Sequence, residues 1–242
     1  MRRYLKSLYT RTMDQAYDRA IKEILQSLDA GGRCLDCGAQ EGAVWTAINR
    51  KRPLESQRYV GVEWNHECAR AARRKGLSVV QADLNTSLPF EDGSFQCVIA
   101  LSVLEHLING CRFLAEARRV LAPSGHLVVL TPNISTPFTI FQLLTGKMPS
   151  SGPHPDSDQL VASESPPRVS DVPGTDMEAS TSVTRHMVVF SFRVLRRYLK
   201  IAGFSTVRGF AFGLYPFPNF MQPLLEALDP YHCHQMVMTA RK

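Results

Sequence analysis

Apolar positions return at helical period through Met13, Ala16, Tyr17, Ala20, Ile21, Ile24, Leu25 and Leu28. This spacing predicts an N-terminal helix, opened by Thr12 and Gln15 at capping-box separation and stopped by Gly31-Gly32. The pattern then changes to short, nearly continuous apolar runs. One leads into Arg33-Cys34-Leu35-Asp36-Cys37-Gly38-Ala39-Gln40-Glu41-Gly42, and others cover 59–63, 77–83, 95–101 and 126–131. Runs without alternation are what strands covered on both faces require. Helical patterns over 43–51, 66–75 and 110–121 lie between them, with Asn65 as an N-cap, Gly76 as a stop and Pro123-Ser124-Gly125 closing the last. Such alternation predicts βαβ units around a parallel sheet.

Beyond residue 145 the pattern breaks. Residues 146–183 are rich in Ser, Pro, Gly, Asp and Val without any period, and 146–185 carries six acids against three bases. A flexible or disordered insertion is expected there. Order returns at Arg185-His186-Met187. Val194, Leu195, Tyr198, Leu199, Ile201 and Ala202 are predicted to share one helix face, opposite Arg193, Arg196, Arg197 and Lys200, with Gly203 as the stop. The last two strands are predicted at 204–210 and 232–240, with an aromatic- and proline-rich excursion from Phe212 to Tyr231 between them. The expected division is a helical lead-in (1–30), a nucleotide-type core (31–145), the insertion (146–185) and a return to the same domain (186–242).

Composition narrows the class. A chain of 242 residues can bury one substantial core. No run of roughly 18 apolar residues offers a spanning helix, and the opening residues lack the continuous apolar segment of a secretory signal. Their basic, acid-free character is read as a helical lead-in rather than a transit peptide. The net charge of +6 is concentrated in bases at 50–75 and 193–208. That pattern suits a solvated surface first, and an anionic ligand or membrane surface second. Cys34 and Cys37 fall on opposite faces of a strand, which disfavours a shared disulfide or metal. His232-Cys233-His234 puts two histidines on one face of a strand but lacks a second ligand pair. A reduced, cytoplasmic protein without a structural metal is expected.

The chemistry gathers at strand ends, where open parallel sheets bind ligands. The first strand ends in Asp36 and the Gly38/Gly42 turn. The second ends in Glu63, followed by Trp64, and an acid there suits both hydroxyls of a ribose. The third ends in Asp83, suited to an adenine amino group, and the fourth in Leu101-Ser102, suited to flanking a base. A dinucleotide fingerprint would need glycine at 38, 40 and 43, but Gln40 and Ala43 stand at two of these. A pyrophosphate is thereby disfavoured, and S-adenosylmethionine, which has no phosphate, fits better.

Here the sequence resembles a family. Leu35-Asp36-Cys37-Gly38-Ala39-Gln40-Glu41-Gly42, Glu63 and Gln81-Ala82-Asp83-Leu84 resemble the first motifs of class I S-adenosylmethionine-dependent methyltransferases. Leu88-Pro89-Phe90-Glu91-Asp92-Gly93-Ser94-Phe95, Ser102-Val103-Leu104-Glu105-His106-Leu107 and Glu116 to Leu127 narrow the resemblance to the type 11 group, which includes ubiquinone/menaquinone-pathway enzymes. It covers roughly 30–135 with specific motifs and 186–242 loosely. It implies a Rossmann-like three-layer α/β sandwich with a seven-stranded mixed sheet whose last strand is antiparallel. It also implies Asp36 and Gly38 near the methionine part, Glu63 at the ribose, and Asp83 with Leu84 at the adenine. The family usually has glycine at position 40, so either the turn has an ordinary φ at Gln40 or its side chain reaches the cofactor. Phe95-Gln96 replaces a common Phe-Asp, far from the cofactor edge.

Methyl transfer from a sulfonium needs mainly in-line positioning. A base is needed only for an acceptor that must lose a proton, and His106 is the candidate. His186 and Tyr215 are candidates for the acceptor side, and the Phe210 to Pro218 stretch for an acceptor wall or a peripheral membrane contact. The acceptor is expected to be a small molecule or a lipid- or glycan-linked group. Nucleic acid is disfavoured, because no Asn-Pro-Pro-Tyr-like motif accompanies the charge. A non-catalytic S-adenosylmethionine-binding module acting through its basic surface is the alternative from another class.

Overall fold

The structure is a computed structural model that describes residues 2–147 and 186–242. The expected insertion therefore lies, from residue 148 on, outside the described residues. The elements run α1 (Arg2–Ser27), β1 (Cys34–Cys37), α2 (Ala43–Lys51), β2 (Tyr59–Glu63), α3 (His66–Arg74), β3 (Ser78–Gln81), β4 (Phe95–Leu101), α4 (Gly110–Val120) and β5 (Leu121–Pro132). They continue with α5 (Pro137–Leu144), α6 (Phe192–Ile201), β6 (Thr206–Phe212), α7 (Gln222–Leu228) and β7 (Gln235–Arg241). The seven strands lie in the order β3-β2-β1-β4-β5-β7-β6. β7 is antiparallel to both its neighbours, and the other pairings are parallel.

Two cores follow from strand alternation. On one face Cys34, Tyr59, Cys97, Ile99 and Val128 meet Ala16, Ala20 and Ile24 of α1, Ile48 of α2 and Ala72 of α3. On the other, Leu35, Cys37, Val98, Val129 and Met238 meet Phe113, Leu114 and Ala117 of α4 and Leu195 and Leu199 of α6. Cys34 and Cys37 thus do sit on opposite faces. Arg119 locks the turn before β4, donating to the Glu116 and Asp92 carboxylates and to the carbonyls of Leu88 and Phe90.

Several boundaries differ from those predicted. α1 begins well before Thr12, because Leu8 and Thr12 extend the buried i, i+4 stripe of Ala16 and Ala20. Thr12 is therefore inside the helix rather than a cap. Pro123-Ser124-Gly125 does not separate α4 from a strand at 126. β5 starts at Leu121, opposite Phe95, and its register shifts between Phe95 and Cys97, with Ser124 at φ 64°. On α6 the inward stripe is Phe192, Leu195 and Leu199, which leaves Val194 and Ile201 exposed beside the bases. The Phe212 to Tyr231 excursion contains α7, and His232-Cys233-His234 precedes β7 instead of lying on it. α5 was not predicted, since most of its apolar side chains face outward and give no inward stripe.

Candidate active site

All the parallel strands deliver their C-terminal ends to one edge, and that edge has two halves. In the first, β1 runs into a turn whose Gly38 and Ala39 N–H groups both donate to the Val62 carbonyl, at 2.8 and 3.0 Å. Gly38 stands at φ +83°, and a Cβ there would lie 2.5 Å from the Val103 Cγ2. Only glycine fits such a conformation and approach. Gly42, at φ +85°, opens α2. Gln40 is left-handed too, at φ 47°, so the ordinary φ considered above does not occur. Its side chain is exposed, and its backbone N–H donates to Glu63 Oε2 at 2.8 Å.

Glu63 ends β2 almost buried, its other oxygen accepting from the Asn65 N–H at 2.8 Å. Each carboxylate oxygen so held keeps further acceptor capacity. Trp64 beside it is exposed. Asp83 lies beyond the end of β3, on the loop, where its Oδ1 accepts from the backbone and side-chain amides of Asn85. Leu84 and, at the end of β4, Leu101 are buried, each in a different core. Asp36 is set deeper than the others: it is 1% exposed, and the Tyr59 hydroxyl donates to its Oδ2. Burial pushes its carboxyl up to about 7, opposed by the Tyr59 hydrogen bond and reinforced by Glu63. The structure therefore brings Gly38, Gln40 and Glu63 into one hydrogen-bonded loop pair, with Asp36 beneath.

The second half rises from the ends of β4 and β5 and the approach to β7. Ser102 follows β4 at φ 55°, its N–H donating to the Leu130 carbonyl and its hydroxyl 3.3 Å from the Tyr17 hydroxyl of α1. The next turn carries Glu105 and His106. The His106 ring lies 5.2 Å from that of His186, edge to face. The carbonyl of Glu105 accepts from the Met187 N–H at 2.6 Å, which fastens the His186 segment here. Burial, with His106 second, pushes His186 down to about 4. His234 is likewise pushed down to about 4 by burial and then His186, and it lies 4.9 Å from the ring of Tyr215. Tyr215 thus adjoins His234, which joins it to this half.

Asn133 ties the half together. Its Nδ2 donates to the carbonyls of Tyr231 and Cys233, and its Oδ1 accepts from the N–H groups of Ser135 and Phe192. Beyond it, Ile140, Phe141 and Leu144 of α5 face Leu214 and Phe217 across a hollow of about 440 Å³. Phe210, the last residue of the strand predicted at 204–210, lies in β6, half-buried with the Arg19 guanidinium 3.4 Å from its ring centre. Sequence reasoning missed Tyr59, Glu105 and Asn133. Glu105 stood beside His106 in a quoted motif, but an acid is ordinarily read as a solvated residue.

Residues 9–208 match a family model described as a methyltransferase domain. Over 136 residues the chain is 35% identical to a 37.1 kDa protein in transposon TN4556 of Streptomyces fradiae, covering 54% of this chain and 38% of that one. It is 35% identical over 105 residues to the phthiotriol/phenolphthiotriol dimycocerosates methyltransferase 1 of Mycobacterium ulcerans, covering 41% and 37%. The matches thus span well under half the length of these relatives. The solved structure of a SAM-dependent methyltransferase from Archaeoglobus fulgidus shares the fold, with a TM-score of 0.58 at 16% identity over 95% of this chain and 94% of that one. With this fold and this match, the chain belongs to the class I S-adenosylmethionine-dependent methyltransferases. The cofactor of that class is S-adenosylmethionine, as its motifs implied. Among the described residues no helix is long and apolar enough to cross a membrane.

Proposed function

We propose that this chain transfers a methyl group from S-adenosylmethionine to a small or lipid-linked acceptor whose reacting atom is brought beside His106. The observation that carries the reading is the continuity of one sheet edge from the Glu63–Gln40 loop pair to the His106–His186 pair. The residues present fit the cofactor. The Gly38 turn has no room for a Cβ, and Glu63 is a nearly buried acid held by two backbone N–H groups with acceptor capacity left for ribose hydroxyls. In this reading Gly38, Gln40 and Gly42 shape the floor, with Asp36 beneath it. Trp64, Asp83, Leu84 and Leu101 surround the adenosine.

When bound, the cofactor supplies a methyl already activated on a sulfonium. The work left to the chain is to hold the acceptor in line and to exclude water. His106 takes a proton where the acceptor must lose one. His186 and Tyr215 line the acceptor side. The hollow beside α5 supports an acceptor with an apolar body, as does the relative named for phthiotriol/phenolphthiotriol dimycocerosates. Leu144, which lines that hollow, is 82% exposed, and Phe220 is 84% exposed, and such exposed apolar side chains support loading from a membrane surface. A reducing, cytoplasmic setting fits the unpaired cysteines.

Titration calorimetry with S-adenosylmethionine and its demethylated product, followed by turnover across acceptors graded in apolar length, tests the reading. Binding with turnover that rises with apolar length is expected. Binding without turnover on any acceptor would favour a cofactor-binding module acting through Arg196, Arg197 and Lys200. No binding of either nucleoside would overturn both.

A further inference from the structure

We propose that Glu105, His106 and His186 form a binding site for a divalent d-block cation of the zinc type. One ligand atom from each of the three lies within 4.8 Å of the others. Two imidazoles that share a metal at about 2.1 Å have ring centres roughly 5 Å apart, and these two are 5.2 Å apart. Two nitrogens and one carboxylate oxygen are a donor set that suits zinc, iron or nickel and leaves positions open for a further ligand.

An edge-to-face ring pair alone would explain the spacing of the histidines. It would not explain Glu105, whose side chain is 2% exposed and which, among the described residues, has no Lys or Arg in ion-pair contact. A buried carboxylate needs either a proton or a cation. Its Oε2 accepts from the Thr131 hydroxyl at 2.9 Å. That is the kind of outer contact that orients a metal-binding carboxylate. Drawing the three ligand atoms to bonding distance requires the histidine rings to turn, and both rings are half-buried rather than packed in the core. The three residues belong to the second half of the sheet edge, where a cation held by His106 would replace that histidine as the base, binding an acceptor oxygen and promoting its deprotonation. That role rests on the methyl-transfer reading, whereas the metal site does not.

Protein stripped with a chelator, then freed of it, is titrated with Co²⁺ while visible absorption is followed, and Zn²⁺ is used to compete. One equivalent of Co²⁺ is expected, with d–d bands and no intense thiolate charge-transfer band. Thr131→Val should weaken binding about 10- to 100-fold, and His186→Ala and Glu105→Gln should abolish it. S-adenosylhomocysteine titration of every variant reports folding. Should His186→Ala fail that check, His106→Gln takes its place. No stoichiometric uptake, uptake unchanged in the ligand variants, or thiolate bands from Cys111 would each overturn the site. Cobalt binding without nucleoside binding would leave the site standing and sink the cofactor reading; the converse would sink the site alone.

Discussion

The two halves of the sheet edge are built by different means. The half formed by β1 to β3 is local: each strand runs directly into its own turn, and Gly38, Gln40 and Glu63 meet across a single strand pair. The half formed by the ends of β4 and β5, β7 and α6 is held by contacts between residues far apart in sequence. Asn133, bonded to Phe192, Tyr231 and Cys233, is the clearest of them. A binding floor made of neighbours can be kept while the wall opposite is rebuilt. The division matches a common cofactor paired with an acceptor that varies.

Disrupting each half separately should separate the functions. The largest effect is expected from Asn133→Ala, which strands four hydrogen-bonding partners, two of them carbonyls behind β7. Chemical denaturation should show a loss of about 2–4 kcal/mol, with turnover falling and nucleoside affinity kept. Gly38→Ala should instead strike the first half. A left-handed alanine and its clash with Val103 together should remove roughly 2–3 kcal/mol and nucleoside binding with it. Loss of nucleoside binding in Asn133→Ala would erase the distinction.

A titration of stability sharpens the same contrast. Burial raises the Asp36 carboxyl to about 7, so between its ordinary value and about 7 the folded chain holds a proton that the unfolded chain has lost. Stability should be fully present at pH 4 and fall as pH rises toward 7. Glu105 is shifted in the same sense, to about 7, also by burial. Asp36→Asn should therefore flatten the slope of melting temperature against pH only in part. An unchanged slope would mean that Asp36 is ionised when folded. The smallest effect is expected from Gln40→Gly. It should relieve a left-handed side chain and change stability by no more than about 1 kcal/mol, with nucleoside binding unchanged because the backbone N–H to Glu63 remains.

The same asymmetry decides what was legible in the sequence. The spans 43–51, 59–63 and 95–101 were predicted as found, and Asn65 caps α3 as expected. Their apolar runs, caps and glycine stops all lie within a few residues of one another. The second half gave weaker signals. α5 turns Phe138, Ile140, Phe141 and Leu143 outward, so periodicity has no core face to report. Phe210 was predicted at the end of a strand, but β6 runs on to Phe212 and sets the Phe210 ring against Arg19 of α1. Glu105 and Tyr59 became visible only through burial, which no local pattern reveals. Gln40 was singled out for its side chain, and what the structure shows is its backbone N–H donating to Glu63.

The most direct test is calorimetric titration of S-adenosylhomocysteine into the unaltered chain, Glu63→Ala and Asn133→Ala. One site is predicted in the unaltered chain. Binding should weaken roughly 10- to 100-fold in Glu63→Ala, since hydrogen bonds to a charged group contribute about 1.5–3 kcal/mol, and should hold in Asn133→Ala. No binding to the unaltered chain, or equal loss in the two variants, would contradict the account.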